Sequence, residues 1–525
     1  MKSFIKSGIA LLTVLFVLAG CGGNNSGSNS GNTSAPQDPA APTNTAPADA
    51  APPAASGGTL NVSLYLYPTK LDPKYSVSIA EKNLYQSLYD KLLDIDKDGN
   101  LIPMLAEKWE LSDDKKTYTF TLRQGVKFQD GTDFNADAVK FNFERYMEDD
   151  SAQKNALKNV DTITVVDPYT VKVQLKVPFA PFLSLMIEKP GMMVSPTAVK
   201  KSETDFNNNP VGTGPFMFKS AVAGSSITLV KNPNYWQAGL PKMDQVVFKT
   251  IEDTNVAYVN LESGDVDISD KFPFKEIENA KNDTKVDLIN EPSLSFEGIY
   301  LNMSKPPFND KALRQAVDIM IDRDAIVKVA LNGAGVPGRS PFAPNVFAHG
   351  DSDSAPKPDL EKAKQILNGK TYSFTLKVGT LPADQQTAQM IQNMLKPAGI
   401  EVKLEKVEVA ALDEQTKSGN FEAALAYWSG RQDPDQSIYD WVYSTGTMNS
   451  SHYSNPDVDK MLDEARVETD NTKRKAIYDQ VMKIIQEDIP YVYLYHGNNT
   501  LGVSKAVKGF TYIPDGMIRT VNISK

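Results

Sequence analysis

The run Thr117-Tyr118-Thr119-Phe120-Thr121-Leu122-Arg123-Gln124-Gly125-Val126-Lys127-Phe128-Gln129-Asp130-Gly131 alternates strictly at its start. Tyr118, Phe120 and Leu122 fall on one face, the period of a half-buried β-strand. Similar signals predict strands over residues 59–65, 161–166, 170–175 and 227–230, the first ended by Pro68. Helical periods come later in the chain. Residues 311–330 read as one helix burying Leu313, Ala316, Val317, Met320 and Ile321. Asn455 and Pro456 open another, with Val458, Met461, Leu462 and Ala465 on one face. A third carries Ile477, Val481, Ile484 and Ile485, stops at Pro490, and precedes a strand at 491–495. This organisation is α/β with long connections. The apolar stripes are core and carry no chemistry.

The N-terminus sets the compartment. Lys2 and Lys6 precede an apolar run at residues 9–19, interrupted only by Thr13 and closed by Leu18-Ala19-Gly20-Cys21. A run this short is an export signal rather than a membrane span, which takes about 20 apolar residues. Cysteine after Ala-Gly resembles the lipobox of bacterial lipoproteins, so residues 1–20 are expected to be removed and Cys21 acylated. Two or three acyl chains hold a protein on a bilayer, at roughly 0.8 kcal/mol per buried CH₂. Cys21 is the only cysteine in the chain, which leaves no internal disulfide and, once it is lipidated, no thiol catalysis.

Residues 22–58 contain no aromatic side chain and no aliphatic one larger than alanine. Nothing there offsets the entropy of ordering, so Cys21 and this stretch, residues 21–58, read as a lipidated tether with an r.m.s. reach of about 35 Å. Residues 59–525 have ordinary globular composition and suffice for two or three domains. Formal net charge is −10, about −12 once Lys2 and Lys6 leave with the signal. That balance argues against nucleic acid and against adhesion to anionic lipid heads.

Catalytic motifs are wanting. The chain holds no GxxxxGK loop, no HExxH and no GxSxG elbow. Val211-Gly212-Thr213-Gly214-Pro215 is glycine-rich, but the proline opposes a dinucleotide-binding helix start. His349, His452 and His496 are far apart, and acidic pairs such as Asp113-Asp114 and Asp149-Asp150 sit in charged, turn-like stretches that read as solvated surface. Binding is favoured over catalysis, with no metal and no cofactor implied.

An ordered set of motifs resembles the signature of family 5 extracellular solute-binding proteins, the peptide, nickel and related receptors of ABC importers. It begins with Leu105-Ala106-Glu107-Lys108-Trp109-Glu110-Leu111-Ser112 and the 117–131 run. It continues through Ala136-Asp137-Ala138-Val139-Lys140-Phe141, Pro210-Val211-Gly212-Thr213-Gly214-Pro215-Phe216, Asn232-Pro233-Asn234-Tyr235-Trp236 and Ser263-Gly264-Asp265-Val266-Asp267-Ile268. Pro306-Pro307-Phe308-Asn309-Asp310, Arg314-Gln315-Ala316-Val317 before Ile321-Asp322-Arg323, and the Asn455-Pro456-Asp457 cap complete it.

The resemblance implies a two-lobed clamp of the periplasmic-binding-protein type, class II, with an extra inserted domain and a two-segment hinge. Lobe I is expected from residues 59–95, 209–298 and 501–525, the insert from 96–208, and lobe II from 299–500. Extended crossings near 296–302 and 499–503 are expected to act as the hinge. It also implies a monomer that binds solute in the cleft, works with a permease and an ATPase, and meets the membrane through its lipid alone, on the outer face.

Tyr427-Trp428-Ser429-Gly430-Arg431-Gln432-Asp433-Pro434-Asp435 is the leading cleft segment. From the residues alone a surface turn over a core tryptophan is the better reading. The resemblance makes it the ligand loop. Peptide receptors of the family place an aspartate three residues after the tryptophan, against the peptide's α-ammonium. Here Arg431 occupies that place and Asp433 follows two later. A guanidinium suits carboxylate or phosphate, so two cargoes stay open. One is a short peptide with its amine on Asp433 and a carboxylate on Arg431. The other is a non-peptide anion such as an opine, a glutathione-like compound, a sugar acid or a nickel chelate. A lipid-anchored surface enzyme or adhesin is the third reading. Lesser cleft candidates are Tyr65 and Tyr67 for stacking, Arg519 as a second anion clamp, and Thr213 and Gly214 as backbone N–H donors.

Overall fold

A computed structural model describes residues 57–350 and 353–525. The leader, Cys21 and nearly all of the tether lie outside the described residues. The strand predicted from the alternating run is Thr117–Leu122, with Tyr118, Phe120 and Leu122 buried. It is central in an antiparallel sheet ordered Ala106–Leu111, Thr117–Leu122, Thr170–Leu175, Val160–Asp167. Helix Ala136–Tyr146, capped by the Asn135 side-chain oxygen accepting from Ala138 N–H, covers the sheet and packs Val139 and Phe143 into the same core. Each such large apolar side chain stabilises by roughly 1.5–3 kcal/mol.

A second body of strands surrounds Thr59–Leu64. That strand pairs in parallel with Gln245–Thr250 and with Ile268–Ser269. Antiparallel Ser226–Lys231 and Phe216–Val222 extend it outward. A third body is built on Phe296–Leu301, which pairs with Ala423–Trp428, itself parallel to Tyr372–Val378 and so to Ile400–Lys406.

One long strand, Tyr491–Ser504, serves both of these bodies. Its second half pairs with Val286–Pro292 and Ile268–Ser269, and its first half with Phe296–Leu301. The chain therefore crosses twice, at residues 293–295 and 496–498, just before the segments 296–302 and 499–503 expected from sequence. Ser293 ties the crossings together: its N–H and its hydroxyl both donate to Gly497 C=O, at 3.1 and 2.7 Å. Two adjacent extended links of this kind form a natural hinge.

The expected single helix at 311–330 is two, Lys311–Met320 and Arg323–Ala330. Ile321 is extended, and Asp322 caps the second helix through Ala325 N–H at 2.9 Å. The break lets buried Arg323 donate to Tyr493 C=O at 2.7 Å and pair with Asp318. That tertiary demand outweighs the continuous helical period. The helices Pro456–Val467 and Asn471–Asp488 form as read, the latter ending at Ile489 in the left-handed region before Pro490.

Candidate functional site

The parallel strands Tyr372–Val378 and Ala423–Trp428 end at one edge of the third body. Ligand crevices in open α/β sheets lie outside such carboxyl ends. Tyr427, at this edge, is 60% exposed. Trp428 is half-buried with its ring edge on Trp441, centroids 5.9 Å apart. The Arg431 guanidinium lies 4.7 Å above the Trp428 ring and donates to Ser429 Oγ at 2.9 Å and to Gly430 C=O at 2.5 Å. No carboxylate among the described residues forms an ion pair with Arg431. Gly430 has φ +68°, and a Cβ there would lie 1.7 Å from Leu294 C=O. Only glycine lets this loop rest against the first crossing.

The two aspartates of the loop are committed elsewhere. Asp433, 8% exposed, takes both arms of the Arg474 guanidinium, at 2.9 and 2.7 Å. Asp435 takes two bonds from Arg466, each 2.9 Å. Asp433, for which an amine-binding role is expected, thus has its carboxylate paired with a buried arginine. Gln432 reaches across to the inserted domain and donates to Gly99 C=O at 3.2 Å.

Opposite Arg431 stands an ion pair between Lys82, in helix Ile79–Leu88, and Glu188. Burial pushes the Glu188 carboxyl up, but Lys82 and then Arg431 outweigh it and hold it below its ordinary value. Burial lowers the Lys82 ammonium, with Arg431 adding repulsion against the pull of Glu188. Residues of all three bodies thus share one electrostatic cluster.

Three other expected site residues are engaged within the protein itself. Arg519 is held by Asp94 at 2.8 Å and by Asp515 at 2.8 Å, which leaves it no free fork for an anion. Gly214 N–H donates to Leu88 C=O at 3.0 Å, and a Cβ there would lie 2.4 Å from Leu88 C. Thr213 is buried, its hydroxyl accepting from Asp90 N–H at 3.2 Å. This glycine turn packs on the chain's own helix end rather than on a ligand. Tyr65 and Tyr67 are half-buried past the first strand, with Tyr65 N–H on Asp270 at 2.8 Å.

A cavity of about 800 Å³ lies between the inserted domain and the third body. Trp109, Leu111 and Tyr118 line it on one side, Phe347, Gln432 and Arg474 on the other. That volume is in the range of small-molecule sites, about 300–1,000 Å³.

Residues 100–450 match the model of the bacterial extracellular solute-binding proteins, family 5. The chain belongs to this family. The family 5 chain is 33% identical over 465 residues to the probable D,D-dipeptide-binding periplasmic protein DdpA of Escherichia coli K12, covering 85% of this chain and 90% of that one. It is 30% identical over 469 residues to the glutathione-binding protein GsiB of Pectobacterium atrosepticum, with the same coverage. The oligopeptide-binding protein AppA of Bacillus subtilis, solved with a nonapeptide, superimposes with a TM-score of 0.76 at 28% identity over 90% of this chain and all of that one. As a family 5 protein it is an extracytoplasmic solute-binding component of an ABC importer. No helix among the described residues is long and apolar enough to cross a membrane.

In this family 5 chain the sequence reading missed the partners of the loop. Lys82 and Glu188 carry no local signal, because their pairing depends on two distant elements. Glu297 had one: it is the lone charge in Phe296–Leu301, a strand buried throughout.

Proposed function

We propose that the protein captures a short peptide or peptide-like solute between its lobes and hands it unaltered to the permease and ATPase of the importer. Residues 59–95, 209–298 and 501–525 serve as one lobe carrying the 96–208 insert, and 299–500 as the other, swinging about the two crossings. The molecule works as a monomer, held on the outer membrane face by lipid on Cys21. It performs no chemistry of its own.

The observation that carries the cargo assignment is Arg431, stacked on Trp428 and free of any carboxylate while both neighbouring aspartates are locked. A solute carboxylate completes that fork. Closure brings the Lys82–Glu188 pair against the same loop, and a ligand that binds the closed form better shifts the population toward it. Trp428 and Tyr427 supply stacking surface, with Tyr65 and Tyr67 on the facing lobe.

Isothermal titration against di- to pentapeptides tests the reading. Binding that is lost when the peptide's C-terminal carboxylate is amidated supports it, and silence across the panel ends it. The commitment of Asp433 to Arg474 favours a second cargo class, an anion lacking a free amine such as an opine, a sugar acid or a nickel chelate. Competition by such compounds without peptide binding selects it.

A further inference from the structure

Glu297 is 6% exposed and forms no hydrogen bond or ion pair with its side chain among the described residues. It stands at the amino end of its strand, opposite Tyr427 on one side and Tyr495 on the other. This is the same edge that carries the Arg431 loop. Helix Pro382–Leu395 begins there too, directly after the parallel strand Tyr372–Val378. Its first turn presents Asp384, half-buried and also without a cation. One turn on, Thr387 is 0% exposed, with its hydroxyl beside Tyr495.

Two carboxylates without a cation at a sheet edge have no reason in the fold itself, since a buried acid is ordinarily paired. Burial pushes the Glu297 carboxyl well up, with the like charge of Asp384 adding to it, and burial lifts Asp384 to about 6. Burial without a cation thus shifts both groups toward the protonated acid. Tyr427 lies within electrostatic reach of both Glu297 and Arg431, so the acidic pair and the guanidinium flank one exposed ring.

We infer that Glu297 and Asp384 form an acidic subsite that receives a cationic nitrogen group of the cargo, with Tyr427 as its outer wall. The inference rests on the solute-binding reading above and narrows the cargo to a zwitterion, anion on Arg431 and cation on this pair. The amine that Asp433 is unable to take is thereby given a place.

Calorimetric titration of the full chain with trialanine and glutathione, each against its N-acetyl derivative, is the test. The expected result is at least tenfold weaker binding of the acetylated forms, with the difference falling below twofold in Glu297→Gln/Asp384→Asn. Should the double variant lose its folded circular dichroism, Glu297→Gln alone carries the comparison. Equal binding of free and acetylated forms by the unmodified protein, or discrimination retained by the variant, overturns the subsite while leaving the transport reading intact. If none of these probes binds, the peptide reading fails and propylammonium chloride decides the subsite separately. A saturable change in tyrosine fluorescence that the variant lacks supports it. No change, or the same change in both, overturns it.

Discussion

Arg474 grips Asp433 with both arms of its guanidinium, and the pair is almost wholly buried beside the loop that carries Arg431. Asp433 is thereby a structural brace, and the loop's free charge is positive.

Removing one member of that brace leaves an uncompensated buried charge. Asp433→Asn is expected to lower unfolding free energy by about 3–5 kcal/mol. Urea unfolding checks it through a lower midpoint at unchanged slope. A midpoint equal to that of the unmodified protein contradicts the assignment.

Arg431 has the opposite character. It makes no ion pair among the described residues, so Arg431→Ala should leave stability within about 0.5 kcal/mol while weakening carboxylate-bearing cargo roughly tenfold or more, about 1.5–3 kcal/mol for a charged hydrogen bond. Arg431→Lys should recover only part of the loss, because an ammonium lacks the planar fork. Titration calorimetry and a thermal melt separate the two effects.

Gly430→Ala places a methyl group against Leu294 C=O in a left-handed backbone. The loop has to leave the first crossing or strain it, at a cost of about 1–3 kcal/mol. Loss of cargo binding together with a lower melting temperature is the expected outcome. An unchanged melt is the contrary one.

His496 sits at the second crossing, Nδ1 donating to Ser295 C=O at 2.9 Å, and burial lowers its pKa to about 4, with His349 reinforcing and the Ser295 bond opposing. Its folded pKa lies below the ordinary 6.5, so the unfolded chain binds the proton first. The stability it contributes is complete above about 6.5 and declines as pH falls toward 4, by about 3 kcal/mol in all at 1.36 kcal/mol per unit. Denaturant midpoints measured between pH 4 and 7 should show this slope, and His496→Gln should flatten it.

The Tyr118, Phe120 and Leu122 alternation, the Asn455 cap and the Pro490 stop were legible because each is a local rule acting over a few residues. The family was legible too, since its motifs recur in order along the chain. The break at Ile321 was not, because the pull of the Tyr493 carbonyl on Arg323 comes from remote sequence.

The chain's own order of residues determined the α/β class, the family and the loop that bears Arg431. Only tertiary structure decided which charges there are free. Asp433 and Arg519 look like open ligands when read along the chain, and Arg474 and Asp94 engage them. Glu297 and Asp384 remain open for the converse reason. Pairing between charges is set by distance in space, and elements tens to hundreds of residues apart supply the partner or withhold it.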